Sequence, residues 1–262
     1  MIDTCGASSD PAVLLIAGSG ASMDWWDPEF CARLAAGGRH VIRYDHRDTG
    51  DAVSYPPGQP GYTGDDLVAD AVAVLDEAGV PAAHVVGISM GGALAQVLTL
   101  NHPSRVRSLT AISTTAGPGA EDLPGARPLE FPPEPDWTDD AAMVEYLVSS
   151  QRVLSTEPFD EAEIRTIARL AVSRTKNNES SQKNHHATSG SGPWRHRLPE
   201  ISVPTLVLHG GADPLFPLPH GEALAREIPQ ARLVVLPHTG HEFPRRNWPL
   251  VVPELLRVSA SG

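Results

Sequence analysis

One serine set among three glycines carries the sharpest chemical signal in the chain. Residues 84–96 read HVVGISMGGALAQ, so Gly87, Ser89 and Gly91 form the pattern G-x-S-x-G with Gly92 beside it. A plain strand-to-helix turn needs one glycine or none. Three mean that the backbone takes an unusual shape there, or that something must approach it closely. The flanks supply the context the pattern needs, a valine-rich run that reads as a strand and then a run of good helix formers. A serine at that junction sits on a sharp, strained turn with its hydroxyl projecting above the sheet edge. A β-carbon at position 87 or 91 would crowd the turn, and Gly92 lets the helix pack close. The helix N-terminus also points N–H groups at the same spot, which suits a developing oxyanion.

A serine hydroxyl is a poor nucleophile at neutral pH. It needs a base, and the base needs an orienting acid. On a strand–turn–helix elbow the chain order is Ser, then Asp or Glu, then His. Asp213 stands in a glycine-flanked loop, TLVLHGGADPLFP, directly after a predicted strand. A turn aspartate before proline is its bland alternative. The loop after the predicted strand 106–113, STTAG, offers no rival acid. For the base, LPHTGHEFP offers His238 and His241, while the other nine histidines lie on predicted strands or helices, in the region 118–198 or ahead of the serine. His241 is favoured because it lies further from the strand, in a loop after a glycine, whereas His238 directly follows the strand-ending proline. The pair has no H-E-x-x-H spacing and no third ligand, so no metal site is expected.

Two oxyanion donors are then required. The N–H of Met90, the residue after the serine, is one. The other should come from the loop after the first predicted strand, IAGSGASMDWW, where Ser19 is flanked by Gly18 and Gly20. A G-x-G after a strand also begins a dinucleotide fingerprint, but Met23 occupies the third glycine position and no Gly-Lys-Ser/Thr follows. Neither a dinucleotide nor a phosphate loop is expected.

These loops need elements to carry them. Predicted strands at 12–17, 40–45, 84–89, 106–113, 203–210 and 231–237 alternate with helical patterns at 28–36, 63–81, 92–102, 220–229 and 246–259. Pro253 should disturb the last helix. Alternation of this kind implies crossover connections and a mostly parallel, doubly wound sheet with helices on both faces. Residues 118–198 break the rhythm. A Pro/Gly-rich loop leads to helical patterns around 139–153 and 160–174, the second with Asp160 and Glu163 at capping-box spacing. The polar stretch KNNESSQKNHHATSGSG then reads as a hinge, with Asn184, His185 and His186 on a solvated helix face or offering polar contacts near the site's mouth. The segment is expected to be a helical cap (118–198) inserted into a core made of 1–117 and 199–262. A disordered linker is the alternative, against the apolar helical spacing of AAMVEYLVSSQRVL.

Composition bounds the function. The 262 residues, 41% apolar, suffice for one large domain with an insertion. A net charge of −12 argues against nucleic acid and against an anionic membrane surface, because phosphate binding needs clustered Lys and Arg. Cys5 and Cys31 are too few for a disulfide framework. No basic leader and no window of roughly 20 apolar residues is present, so a cytoplasmic location is expected.

The segments HVIRYDHRDTG (40–50), ADAVAVLDEAGVPAAHVVGISMGG (69–92) and VPTLVLHGGADPLFP (203–217) resemble the α/β-hydrolase superfamily. Within it they are similar to the aclacinomycin methylesterase-type bacterial hydrolases, which act on ester groups of polyketide-derived aromatic compounds. The resemblance spans nearly the whole chain. It implies an α/β-hydrolase fold, no cofactor, Ser89 as nucleophile with Asp213 and His241 as its partners, and N–H donors near Ser19 and at Met90. Three departures stand out. Only about ten residues precede the first predicted strand, where members of the family open with a hairpin, so a shortened edge and about six to seven strands are expected. The oxyanion loop reads AGSG where many members carry His-Gly. Asp51 and Ala52 replace a basic residue and a serine. The segment 118–198 shows little similarity. The expected activity is that of a serine carboxylic-ester hydrolase, working through an acyl-enzyme on a medium-sized apolar ester or lactone, as a monomer or homodimer. Trp25, Trp137, Tyr146 and Trp194 are candidate pocket walls. The same triad also serves cofactor-free perhydrolysis, halogenation and C–C bond hydrolysis. The fold can also persist as a non-catalytic ligand binder.

Overall fold

Five successive apolar residues, Ala12–Ile16 (β2), are all buried, as a central parallel strand requires. The computed structural model describes residues 1–118 and 120–260. In chain order β2 is preceded by Ile2–Cys5 (β1) and followed by Pro28–Ala36 (α1), His40–Tyr44 (β3), Gly64–Glu77 (α2), Ala83–Ile88 (β4), Met90–Asn101 (α3) and Val106–Ile112 (β5). Three helices come next, Asp140–Leu154 (α4), Glu161–Arg174 (α5) and Asn178–Ala187 (α6). Thr205–Gly210 (β6), Pro219–Glu227 (α7), Arg232–Leu236 (β7) and Trp248–Val258 (α8) complete the chain. Among the described residues seven strands lie in the order β1-β3-β2-β4-β5-β6-β7, with β1 antiparallel to β3 and every other pairing parallel.

Alternation along the strands sends side chains to two cores. Leu14, Ile42, Val85, Leu109 and Val207 face one core with α2, α3 and α7. Val13, Leu15, Val41, Val86 and Leu208 face the other with α1 and α8, where Phe30 stacks on Trp26, meets Phe243 edge to face and packs at a tilt on Trp248. The clearest predicted helix, α2, starts on a complete capping box, with Thr63 and Asp66 each bonding the other's backbone N–H.

Three findings depart from the sequence reading. Residues 2–5 add an antiparallel edge strand that short length concealed, its register running from Ile2 opposite Tyr44 to Cys5 opposite Val41. Arg43 ties this edge through its ion pair with Asp3. Secondly, α8 runs through Pro253. The hydrogen bond this proline forgoes would reach the carbonyl of Pro249, one turn back in the first turn, and Trp248, Val251 and Leu255 bury the helix face regardless. Thirdly, the stretch read as a hinge contains α6, capped by Asn177, whose side chain accepts from Ser180 N–H. Its Asn184 and His185 are buried rather than solvated. Asn184 donates to Asp48 Oδ2 (2.9 Å) and accepts from Gly58 N–H (2.6 Å), so a polar face is buried because the core supplies partners for it.

Chain order reverses between β2 and β4. The chain passes from β2 out to β3 and returns to the other side of β2, so the carboxyl ends of β2 and β4 open side by side, the usual place for a ligand in an open α/β sheet. The two meet closely. A β-carbon at Gly91 would lie within the van der Waals envelope of the Ile16 and Ala17 carbonyl oxygens. Because those atoms are backbone, they cannot swing away. Gly91→Ala is therefore expected to destabilise the fold by about 1–3 kcal/mol, read from urea midpoints. A wild-type midpoint would show that α3 can shift off β2 at no cost.

Candidate active site

The peptide at Ser89 is tightly constrained. Ser89 follows β4, serves as the N-cap of α3 and has φ 53° and ψ −120°, a region a side-chain-bearing residue rarely enters. Its partners hold it on both sides. Ser89 N–H donates to the Ile112 carbonyl (3.0 Å), and the Ser89 carbonyl accepts from Gly92 N–H (2.9 Å) and from Thr114 Oγ1 (2.7 Å). A side chain at Gly87 would strike the Gly91 carbonyl, and one at Gly92 would meet Thr114. The glycines of the pattern therefore let the elbow close.

The projecting hydroxyl lies 3.0 Å from Nε2 of His241, and His241 Nδ1 lies 2.8 Å from Oδ2 of Asp213. Ser89 Oγ–H donates to Nε2 and Nδ1–H donates to the carboxylate, so the three groups form one hydrogen-bonded series. His241 comes from the loop after β7 and Asp213 from the loop after β6. His238, the other histidine of the same loop, is exposed, and its carbonyl accepts from Thr156 Oγ1 (2.6 Å). Asp213 is fully enclosed. Its Oδ1 accepts from the N–H groups of Leu215 and Phe216, both at 2.9 Å. Burial alone raises its pKa, but the hydrogen bond and charge of His241, helped by the Phe216 N–H, outweigh that and hold the carboxyl below its ordinary range. It stays an anion facing the imidazole.

The loop after β2 stands alongside. A β-carbon at Gly18 would sit 3.5 Å from the Ser89 Cβ, so this loop runs against the hydroxyl-bearing residue. The N–H of Met90 opens α3 and has no acceptor within the helix. The N–H of Ser19 donates to no protein acceptor among the described residues, whereas those of Gly20 and Ala21 are committed, to His185 Nδ1 (2.9 Å) and to the Gly18 carbonyl (3.3 Å).

The candidate aromatic walls divide. Trp25, Trp137 and Tyr146 pack on one apolar cluster with Met143, Leu147 and Val172, Trp137 meeting Tyr146 edge to face. Trp194 instead is buried in the sheet core, its Nε1–H donating to Gln96 Oε1 (3.0 Å), and is occupied by packing.

Other contributors gave no sequence signal, because their contacts join distant parts of the chain. The Leu154 carbonyl at the end of α4 accepts from His241 N–H (2.8 Å). Phe216 lies edge to face on the His241 ring. His209 bonds the Phe216 carbonyl (2.7 Å), and burial lowers its pKa. Arg174 on α5 reaches Asp24, the fully buried Asp45 carboxylate (2.6 Å) and Asp51 (3.3 Å), tying α5 to the segments after β2 and β3.

Burial also lowers the pKa of His46, His84 and His185 from 6.5 to about 4. Two of them flank the site: His46 bonds the Ala17 carbonyl at the end of β2 (3.2 Å) and His185 bonds Gly20. The unfolded chain takes up a proton at each below about pH 6.5 and the folded protein only near pH 4, so stability is intact above that window and drains as pH falls through it. A loss of about 1 kcal/mol per histidine by pH 5.5 is expected, measured as urea midpoints at pH 7.5, 6.5 and 5.5. A flat profile would contradict it.

Comparison with known proteins adds the last observation. The family profile for the alpha/beta hydrolase fold matches residues 11–244. Rhodomycin D methylesterase DauP of Streptomyces sp. strain C5 is 35% identical, over 91% of this chain and 87% of the relative. Rhodomycin D methylesterase DnrP of Streptomyces peucetius is 34% identical, over 91% and 87%. Among solved structures, the enol-lactonase from Burkholderia xenovorans LB400 superposes with a TM-score of 0.77 at 22% identity, covering 99% of this chain and 96% of that one.

Proposed function

The chain belongs to the alpha/beta hydrolase fold family, and on that premise we propose that it is a serine hydrolase of carboxylic esters, with a methyl ester of a medium-sized apolar molecule as the favoured substrate class. The observation that carries the reading is the Ser89–His241–Asp213 series at 3.0 and 2.8 Å beside a strained elbow. The 35% identity to a methylesterase supports the ester class.

Chemistry follows from the positions. His241 Nε2 takes the Ser89 proton as Oγ attacks the ester carbonyl. The tetrahedral oxyanion accepts from the N–H groups of Met90 and Ser19, and donors already in place need no reorganisation as the charge develops. Collapse expels the alcohol, which leaves with the proton held on His241, and an acyl-Ser89 remains. Water then attacks the acyl carbon as His241 removes its proton. The second collapse returns that proton to Ser89 and releases the carboxylic acid. Asp213 keeps the imidazole in the Nδ1–H tautomer throughout and stabilises the imidazolium. In this reading residues 118–198 cap the site, and Trp25, Trp137 and Tyr146 supply an apolar wall.

Ser89→Ala should lower turnover of p-nitrophenyl acetate by about ten-thousandfold or more and abolish labelling by a fluorophosphonate probe, with the melting transition preserved. Asp213→Asn should lower kcat by a similar factor, since the ring would then settle in the wrong tautomer. Undiminished hydrolysis by the Ser89 variant would sink the assignment. An enclosed, capped site should also cleave p-nitrophenyl esters of short acyl chains and leave a long-chain triglyceride emulsion almost untouched. Strong, interface-activated cleavage of the emulsion would refute the enclosed pocket.

A further inference from the structure

The loop that carries Ser19 is held by a helix from another part of the chain. Gly20 has φ +70°, and a β-carbon there would lie 2.9 Å from Gln182 Nε2 and 3.1 Å from the Ser181 carbonyl, so α6 presses directly on it. Two side chains of α6 grip the peptide units of Gly20. Gly20 N–H donates to His185 Nδ1 at 2.9 Å, and Gln182 Nε2 donates to the Gly20 carbonyl at 3.3 Å. His185 is buried, and its other nitrogen, Nε2, donates to the Arg47 carbonyl at 2.9 Å. With Nε2 as the donor, Nδ1 is left with a lone pair for Gly20. Burial, which pushes the His185 pKa down to about 4, keeps the ring neutral and so keeps that lone pair available near neutral pH.

The geometry points to His185 as a positioning residue for the oxyanion donor, with Gln182 as its second contact: by accepting the Gly20 N–H, the imidazole holds the loop curled and leaves the N–H of Ser19 as the uncommitted donor. This rests on the reading of Ser89 as the nucleophile. Without the acceptor, the partly buried Gly20 N–H would lose its partner, a cost the loop would relieve by turning this peptide. Turning it moves the Ser19 peptide as well. A donor aimed at developing charge acts chiefly in the transition state, so its misplacement should lower kcat and leave substrate binding nearly intact. A contact that serves folding alone would instead lower stability and leave the kcat of the folded fraction unchanged.

Two isosteres separate these outcomes. In His185→Asn the amide oxygen can occupy the Nδ1 position and accept from Gly20, while the bond to Arg47 is lost. In His185→Gln the side-chain amide can occupy the Nε2 position and donate to the Arg47 carbonyl, while the acceptor for Gly20 is lost. On a p-nitrophenyl ester, His185→Gln is expected to lose roughly 10- to 100-fold in kcat, with KM within a factor of about three. His185→Asn is expected to keep most of kcat. Wild-type kcat in His185→Gln, or equal loss in both variants, would overturn the proposal. Gln182 is only half-buried, so Gln182→Ala decides the matter if the His185 variants do not fold: a several-fold fall in kcat at constant KM supports the assignment, and an unchanged kcat overturns it. Failure of the nucleophile reading would show separately, as wild-type protein that neither hydrolyses the ester nor takes the fluorophosphonate label.

Discussion

Everything at the carboxyl edge of the sheet is arranged around one unfavourable peptide, the left-handed backbone at Ser89 with φ 53° and ψ −120°. Such a conformation costs about 1–3 kcal/mol and persists only where the surroundings over-determine it. Here they do. The strain is opposed by hydrogen bonds to Ile112, Gly92 and Thr114, and by the packing of α3 against the Ile16 and Ala17 carbonyls that only glycine at position 91 permits. The result is a hydroxyl thrust out of the turn between β4 and α3, at the point where the chain order of the sheet reverses and the loop after β2 comes alongside.

The loops that meet the hydroxyl are braced in turn by the helices between β5 and β6. The end of α4 holds the His241 loop through the Leu154 carbonyl, and Thr156 just beyond it bonds both the His238 carbonyl and the Glu242 carboxylate. Arg174 on α5 bonds the buried Asp45, which itself accepts from Met23 and Asp51 N–H. Helix α6 grips Gly20. These helices thus contact the loop of the histidine and the loop beside the serine at once. A buried ion pair such as Arg174–Asp45 adds little net stability, because desolvation offsets much of the attraction. Its geometric demands are strict, however, and breaking it would leave a carboxylate buried without its counter-charge.

Buried polar groups set the electrostatics of this region. Asp213 is kept anionic by His241 and two backbone donors, whereas His46, His185 and His209 are held toward the neutral form by burial. Each neutral ring bonds a backbone group near the site: Ala17, Gly20 with Arg47, and Phe216. His185 uses both nitrogens, Nε2 donating to the Arg47 carbonyl and Nδ1 accepting from Gly20, which a charged ring could not do, whereas His46 and His209 each bond one carbonyl through Nε2.

The elbow, the parallel sheet and the Ser–Asp–His order were legible in the sequence because each rests on local physics. Glycine spacing, alternation of apolar runs and capping residues are decided within a few turns of the chain, so Gly87, Gly91, Thr63 and the loops holding Asp213 and His241 could be read directly. What escaped was set by contacts between segments far apart. The four residues of β1 form a strand only because β3 offers an unpaired edge. Pro253 is tolerated because the core buries its helix anyway. The polar stretch at 176–192 looks solvated in isolation, yet Asn184 and His185 become buried once Asp48, Gly58, Gly20 and the Arg47 carbonyl supply their partners. Trp194 packs into the sheet core for a similar reason, since Gln96, about a hundred residues earlier, meets its indole N–H. A polar or aromatic side chain is buried wherever its partners happen to converge, and that convergence exists only in the folded chain.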